Sequence, residues 1–134
     1  MTPADLAALH ARASASSWSE KSFESQLAQT GTLLLFEPNA FALGHVILDE
    51  AELLQIATDP DFRKRGLGRK LLLAFENAAK AKGCKRAFLE VARSNAPACA
   101  LYSTNGWKID GMRKGYYKLP DGRREDALLM SKAL

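Results

Sequence analysis

Apolar positions along this chain recur at two spacings, about every third or fourth residue and every second one, and the switches between them outline its elements. Leu6, Leu9 and Ala13 fall at helical spacing and predict a helix from Pro3 to about Ala13. A polar break at 14–17 follows, and Ser19 is placed to cap a second helix to about Gln29, with Phe23 and Leu27 one turn apart. Gly31 ends that helix. Thr32 to Phe36 is a short apolar strand, Pro38-Asn39 is a turn signal, and Phe41 to Leu48 reads as a second strand. Asp49-Glu50 supplies the bend into a third strand, Ala51 to Thr58, whose nearly continuous apolar run predicts a central place. Together the three predict an antiparallel meander.

The second half switches period again. Asp59-Pro60 closes the third strand, and after a glycine-bearing turn Leu71, Leu72, Phe75, Ala78 and Ala79 mark the buried stripe of a long helix. Lys80 and Lys82 lie in its last turn and Gly83 stops it. Arg86 to Ala92 is a strand again, so strand, helix and strand predict a right-handed crossover with parallel neighbours. Asn95 is placed to cap a further helix, with Pro97 in its first turn and Asn105-Gly106 at its end. Trp107 to Lys118 and Arg124 to Ala133 are the last strands, joined through Pro120-Asp121-Gly122. The pattern predicts a single α/β domain over 1–134, with a mixed (α+β) sheet antiparallel at both ends and parallel in the middle.

A hydrophobic content of 47% suits one core, and a net charge of +4 suits a polyanionic ligand or a nucleoprotein partner. The basic residues form no tail and do not interleave with aromatics, so no stable nucleic-acid binding is expected. Cys84 and Cys99 form no C-x-x-C or Cys/His cluster, and His10 and His45 are far apart in sequence, so no metal is expected. The cysteines read as reduced, structural thiols of a cytoplasmic protein. No apolar run approaches about 18 residues and the N-terminus has no signal-peptide layout, which predicts a soluble protein off the membrane.

Candidate chemistry begins at Arg63-Lys64-Arg65-Gly66-Leu67-Gly68, with Arg69 and Lys70 following. A strand, a basic glycine turn and a helix start make a phosphate cradle: glycine admits close approach, and the first helical amides and the helix dipole favour an anion. The same residues would also make a solvated basic turn. Glu90 is the one acid in the apolar run Ala87 to Val91, on the face of Phe88 and Ala92. In such surroundings a carboxyl has a raised pKa and suits a general base, or it pairs with Arg93 at the strand end. Tyr102 lies about two helical turns beyond Asn95, on the same face, where a phenol would serve as proton donor or as sheet packing. Of Tyr116 and Tyr117, alternation sends one to the core and the other to a surface or cleft. Trp18 would plug the core or line a peptide groove. Asp49, Glu50 and Glu52 form an acidic patch that would meet a cationic substrate or simply be a solvated turn.

These strings, in this order, resemble the GNAT N-acetyltransferases, whose loop reads [Arg/Gln]-x-x-Gly-x-[Gly/Ala]. Within that family they are most similar to the bacterial ribosomal-protein-alanine N-acetyltransferases. The likeness runs from about residue 16 to 131 through Trp18-Ser19-Glu20, Asp49 to Leu53, Ile56 to Pro60, the glycine loop and Leu89-Glu90-Val91. It continues through Ser94-Asn95, Ala100-Leu101-Tyr102, Asn105-Gly106-Trp107, Arg113 with Tyr116-Tyr117, and Glu125-Asp126-Ala127 with Met130.

The resemblance implies the GNAT fold, a mixed sheet splayed between the family's fourth and fifth strands and flanked by about four helices, with acetyl-CoA as cosubstrate. By position it implies that Ile56, Ala57 and Thr58 hold the acetyl-pantetheine end. Arg63, Lys64, Arg65, Gly66, Leu67, Gly68 and Arg69 would hold the pyrophosphate, and Asn95 would contact the pantetheine. Glu90 matches the general base and Tyr102 the general acid of a direct transfer without an acyl-enzyme. Trp18, Glu50, Arg113, Tyr116 and Tyr117 are the implied acceptor residues. The implied acceptor is the N-terminal alanine of a small-subunit ribosomal protein, met by a monomer or weak dimer. Other protein N-termini, a small-molecule amine, or a non-catalytic CoA-binding regulator remain open. Two departures stand out: the family's Glu-Val-Arg is here Glu90-Val91-Ala92-Arg93, and Trp107 replaces the usual Phe.

Overall fold

The computed structural model describes residues 1–14 and 17–134, so the middle of the polar break, residues 15 and 16, lies outside the described residues. Helix α1 (Pro3–Ala13) opens on a reciprocal cap in which the Thr2 hydroxyl accepts from the Asp5 N–H and Asp5 accepts from the Thr2 N–H. Helix α2 (Glu20–Leu27) is capped by Ser19 and ends two residues short of the expected Gln29. Leu6, Leu9 and Phe23 on the two helices bury against Phe41, Leu43 and Ala57 of the sheet.

Strands β1 (Thr32–Glu37), β2 (Ala40–Ile47) and β3 (Glu50–Thr58) form the expected antiparallel meander. The strand buried on both faces is β2, continuously from Ala40 to Gly44, whereas β3 mixes buried and half-buried positions. The cause is layering: α1 and α2 cover one face of β2 while Phe75 of the next helix presses on Gly44 from the other. A side chain at Gly44 would collide with that ring and come within 2.9 Å of the Glu52 carbonyl oxygen.

Register between β2 and β3 shifts at Leu43/Gly44, leaving Leu54 as an extra residue. Such a bulge bends its strand, and here it lies two residues beyond Glu52, the last residue of β3 that pairs with β4. After a short 3-10 turn (Pro60–Phe62) comes α3 (Leu67–Ala81). Its end is a Schellman closure: Cys84 N–H donates to the Ala79 carbonyl and Gly83 N–H to that of Lys80, with Gly83 at φ 86°.

Strand β4 (Arg86–Ala92), helix α4 (Ala96–Thr104), β5 (Lys108–Lys118) and β6 (Arg124–Ala133) complete one six-stranded sheet of order β1-β2-β3-β4-β6-β5. Only β3 and β4 run parallel. Leu71, Leu72, Phe75 and Ala79 of α3 pack with Leu53, Leu89, Val91, Tyr102 and Met130 on the face away from α1 and α2.

One acid interrupts the α3 stripe. Glu76 is buried and accepts from the Trp107 indole N–H at 3.1 Å and from Lys132 Nζ at 2.6 Å. Lys132 also donates to the Asn105 carbonyl, and the Asn105 side chain accepts from Arg69 Nε. The two donors compensate the buried carboxylate, and the network links α3, the end of α4 and β6. Among the described residues no helix is long and apolar enough to cross a membrane.

Candidate active site

The sheet opens in its middle. β3 and β4 pair only at Glu50↔Arg86, Ala51↔Ala87 and Glu52↔Phe88. Past that point β3 stays on β2, bent by the Leu54 bulge, and β4 stays on β6 along its whole length. Among the described residues, Leu53–Thr58 have no strand partner on the β4 side. Ile56, Ala57 and Thr58 therefore offer backbone groups along an open edge, as an extended ligand requires.

Above this edge lies the basic turn. Gly66 sits at the N-cap of α3 in the left-handed region, φ 76°, and no side chain caps the helix. Lys64 also takes a positive φ of 63°, a conformation that costs a non-glycine residue about 1–2 kcal/mol. A side chain at Gly66 would meet nothing within 4 Å, and one at Gly68 would lie 3.5 Å from Leu101. The first amides of α3 thus face open space, with free N–H groups and a helix dipole aimed outward. These features fit a pyrophosphate. Three of the basic side chains are held by the protein: Arg63 donates to the Ala13 carbonyl, Arg65 lies 4.9 Å over the Phe62 ring, and Arg69 reaches Asn105. Among the described residues Lys64 makes no hydrogen bond or ion pair. Leu67 packs half-buried against the core.

The two proton-handling candidates stand on opposite faces of the sheet. Leu89 and Val91 are buried against α3, so Glu90 between them faces the other side. There Arg113 Nη2 approaches Glu90 Oε1 at 3.3 Å, and the Arg113 guanidinium stacks 5.1 Å over the Tyr116 ring. Arg93, the displaced family arginine, pairs instead with Asp126 at 3.6 Å. Tyr102 is on the α3/α4 face, 5% exposed, beside Trp107. Burial, with a smaller push from Cys99, drives its phenol well above the usual range, so it stays protonated. Asn95 caps α4, its side-chain oxygen accepting from the Ala98 N–H at 3.3 Å.

Two expectations change. Neither Tyr116 nor Tyr117 enters the core: a register shift between Arg113 and Tyr117 breaks the alternation, leaving Tyr116 exposed and Tyr117 half-buried. Burial, then the nearby Glu90 and Tyr116, raise the Tyr117 phenol, against a smaller opposing effect of Arg113. Glu50 is bound to Arg86 at 2.6 Å, and Arg86 also reaches Asp110, so Glu50 is neutralised at the closed end of the β3/β4 pair. Glu52, two residues on, faces the opening. Trp18 is half-buried on Phe23 and edges a shallow concavity on α2 with Ser22, Ser25 and Gln26.

His10 is a core residue: its Nδ1 accepts from the Trp18 backbone N–H, and its ring meets Phe23 and Phe41 edge-on. Both cysteines are free. The sequence reading missed Glu125, which accepts from the Ser94 N–H at 2.7 Å, and Asp126, which accepts from the Gly115 N–H. These two bind the β5/β6 hairpin to the end of β4. Their signal was the Glu125-Asp126-Ala127 string, whose role depends on contacts distant in sequence.

A half-open parallel pair, an uncapped glycine turn, and Glu90 and Tyr102 on opposite faces of the sheet beside the opening form the arrangement of the site. The acetyltransferase (GNAT) family model matches residues 5–107, and the chain belongs to that family. It is 43% identical over 129 residues to the [ribosomal protein bS18]-alanine N-acetyltransferase of Escherichia coli (strain K12), covering 90% of this chain and 83% of that one. The crystal structure of the Escherichia coli ribosomal-protein-S18-alanine N-acetyltransferase superposes with a TM-score of 0.88 at 39% identity, over 98% of this chain and 86% of that one. A GNAT-family acetyltransferase from Streptococcus pneumoniae shares the fold at a TM-score of 0.79 and 22% identity, over 98% and 94% of the two chains.

Proposed function

We propose that this protein moves an acetyl group from acetyl-CoA to a protein N-terminal α-amine, that of the N-terminal alanine of a small-subunit ribosomal protein. The observation that carries this is the placement of Glu90 and Tyr102 on opposite sides of the gap between β3 and β4. The relatives named for the same reaction support the choice of acceptor. Such an acceptor is a transient partner and places the work in the cytoplasm.

Acetyl-CoA supplies the activated acetyl group as a thioester. The free edge of Ile56, Ala57 and Thr58 lies along the opening to hold its extended arm. The α3 amides at Gly66, Leu67 and Gly68, with Lys64, Arg63, Arg65 and Arg69 around them, hold its pyrophosphate. Asn95 keeps its side-chain N–H₂ free to donate while its oxygen caps α4.

An α-amine has a pKa near ~7.7–8.0, so much of it is protonated at neutral pH. Glu90 takes that proton, directly or through water, from the Arg113 side of the sheet. An amide of the β3 edge, Ile56 or Ala57, donates to the acetyl oxygen as negative charge builds there. The freed amine attacks the thioester carbonyl, the C–S bond breaks, Tyr102 delivers its proton to the departing thiolate from the α3/α4 side, and the second proton shed by the nitrogen restores the phenol through solvent. Arg113, Tyr116 and Tyr117 border the amine side of the opening.

The test is turnover. The protein with acetyl-CoA is offered N-terminal peptides that begin with alanine, and free polyamines. Acetylation of the peptide α-amine is expected, and turnover confined to polyamines contradicts the reading.

A further inference from the structure

The acidic stretch before the third strand divides in the fold. Glu50 is neutralised by Arg86, but Glu52, half-buried, makes no hydrogen bond or ion pair among the described residues. Its Cα partners are Phe88 on β4 and His45 on β2. Glu90 stands two residues beyond Phe88, hence on the same face as Glu52. The two carboxylates therefore flank the place where β3 leaves β4. Around them are His45, whose Nδ1 lies 3.3 Å from Gln26 Nε2, then Tyr117 and Arg113. Among the described residues Arg113 is the one full positive charge paired there, and its side chain is 52% exposed.

The sign of charge is thus divided within a chain of net charge +4. Arg63, Lys64, Arg65, Arg69 and Lys70 crowd the turn suited to a polyanion, while beside the opening the carboxylates of Glu52 and Glu90 stand near one guanidinium, paired with Glu90. Burial, and then the charge of Glu90, hold the Glu52 carboxyl above its usual range, with His45 opposing. A carboxylate kept in such a place without a partner is poorly solvated, and an arriving cation relieves it.

We propose that Glu52 is a specificity-determining residue, which selects acceptors carrying a positively charged side chain close to the reacting α-amine. The inference rests on the amine side of the gap assigned under the proposed function. Glu90 handles the proton of the amine, and Glu52 pairs with the neighbouring cationic side chain. The acceptor class is accordingly a basic N-terminal segment.

The experiment is steady-state acetylation of two peptides that begin with alanine and differ only in lysine or norleucine at the second and third positions. Wild type favours the lysine peptide in kcat/KM by about tenfold, the size expected of one partly desolvated ion pair. Glu52→Gln, isosteric and uncharged, brings that ratio close to one. Glu52→Asp restores most of it, which a merely structural role would not do. Acetyl-CoA affinity by calorimetry reports that each variant is folded. Equal wild-type rates on the two peptides, or an unchanged ratio in Glu52→Gln, overturns the selection by Glu52 while leaving the transfer reaction standing. No acetylation of either peptide overturns the proposed reaction and this inference with it.

Discussion

Under the proposed reaction, the turn at 63–70 and the open face between β3 and β4 would handle its two halves by different physical means. The turn works through backbone: a left-handed Gly66, a strained Lys64 and uncapped amides at the start of α3. Its side chains are largely held by neighbours. The open face works through side chains: Glu90 and Arg113, with Glu52 and Tyr117 beside them, brought from β3, β4 and β5. A backbone cradle fits a ligand common to a whole family. A side-chain surface can be varied one residue at a time, which is where choice of acceptor belongs.

The largest effect that would break this contrast lies in the proton-handling groups. Glu90→Gln and Tyr102→Phe each lower kcat by about 10²–10⁴-fold in CoA-release assays, the range for lost acid–base catalysis. Release at the wild-type rate in both would remove the assignment. Next, Gly66→Val raises the acetyl-CoA dissociation constant by about tenfold or more and leaves the KM for the peptide little changed. Its left-handed backbone costs a β-branched residue at least about 1–2 kcal/mol and displaces the amides to which the proposal assigns the pyrophosphate.

Gly44→Ala reaches both regions, because its methyl would strike Phe75 of α3 and crowd the Glu52 carbonyl. It should lower stability by about 2 kcal/mol by denaturant titration, as overpacked cores do. The weakest effect separates His10, which is structural, from the site. Burial lowers the His10 pKa, against a hydrogen bond donated to Gln55 that raises it. The unfolded chain therefore binds the proton more readily than the native one. His10's contribution is fully present above about pH 6.5 and is lost as pH falls toward the lowered native value. Melting temperatures at pH 7.5 and 5.5 should show this fall, and His10→Asn, which keeps an acceptor for Trp18, should flatten it.

The two regions also differed in how far they could be read from the chain. Helix caps at Ser19, Gly83 and Asn95 and the glycine turn are local signals, and each holds in the fold. The parallel β3/β4 pair followed from strand, helix and strand. The open face was harder because its residues meet only after folding. Alternation failed for Tyr116 and Tyr117, since a register shift changes the phase of the strand. Glu50 and Glu52 look alike in sequence, and only the Arg86 ion pair tells them apart. Glu76 sat unnoticed in an apolar stripe because its partners, Trp107 and Lys132, come from 31 and 56 residues away.

The most direct test of the division between donor and acceptor sides is calorimetric titration of acetyl-CoA into Glu90→Gln. An affinity within about twofold of wild type, in a variant that no longer turns over, is the predicted result. An affinity that falls in step with the rate would place Glu90 on the donor side of the gap and contradict the account.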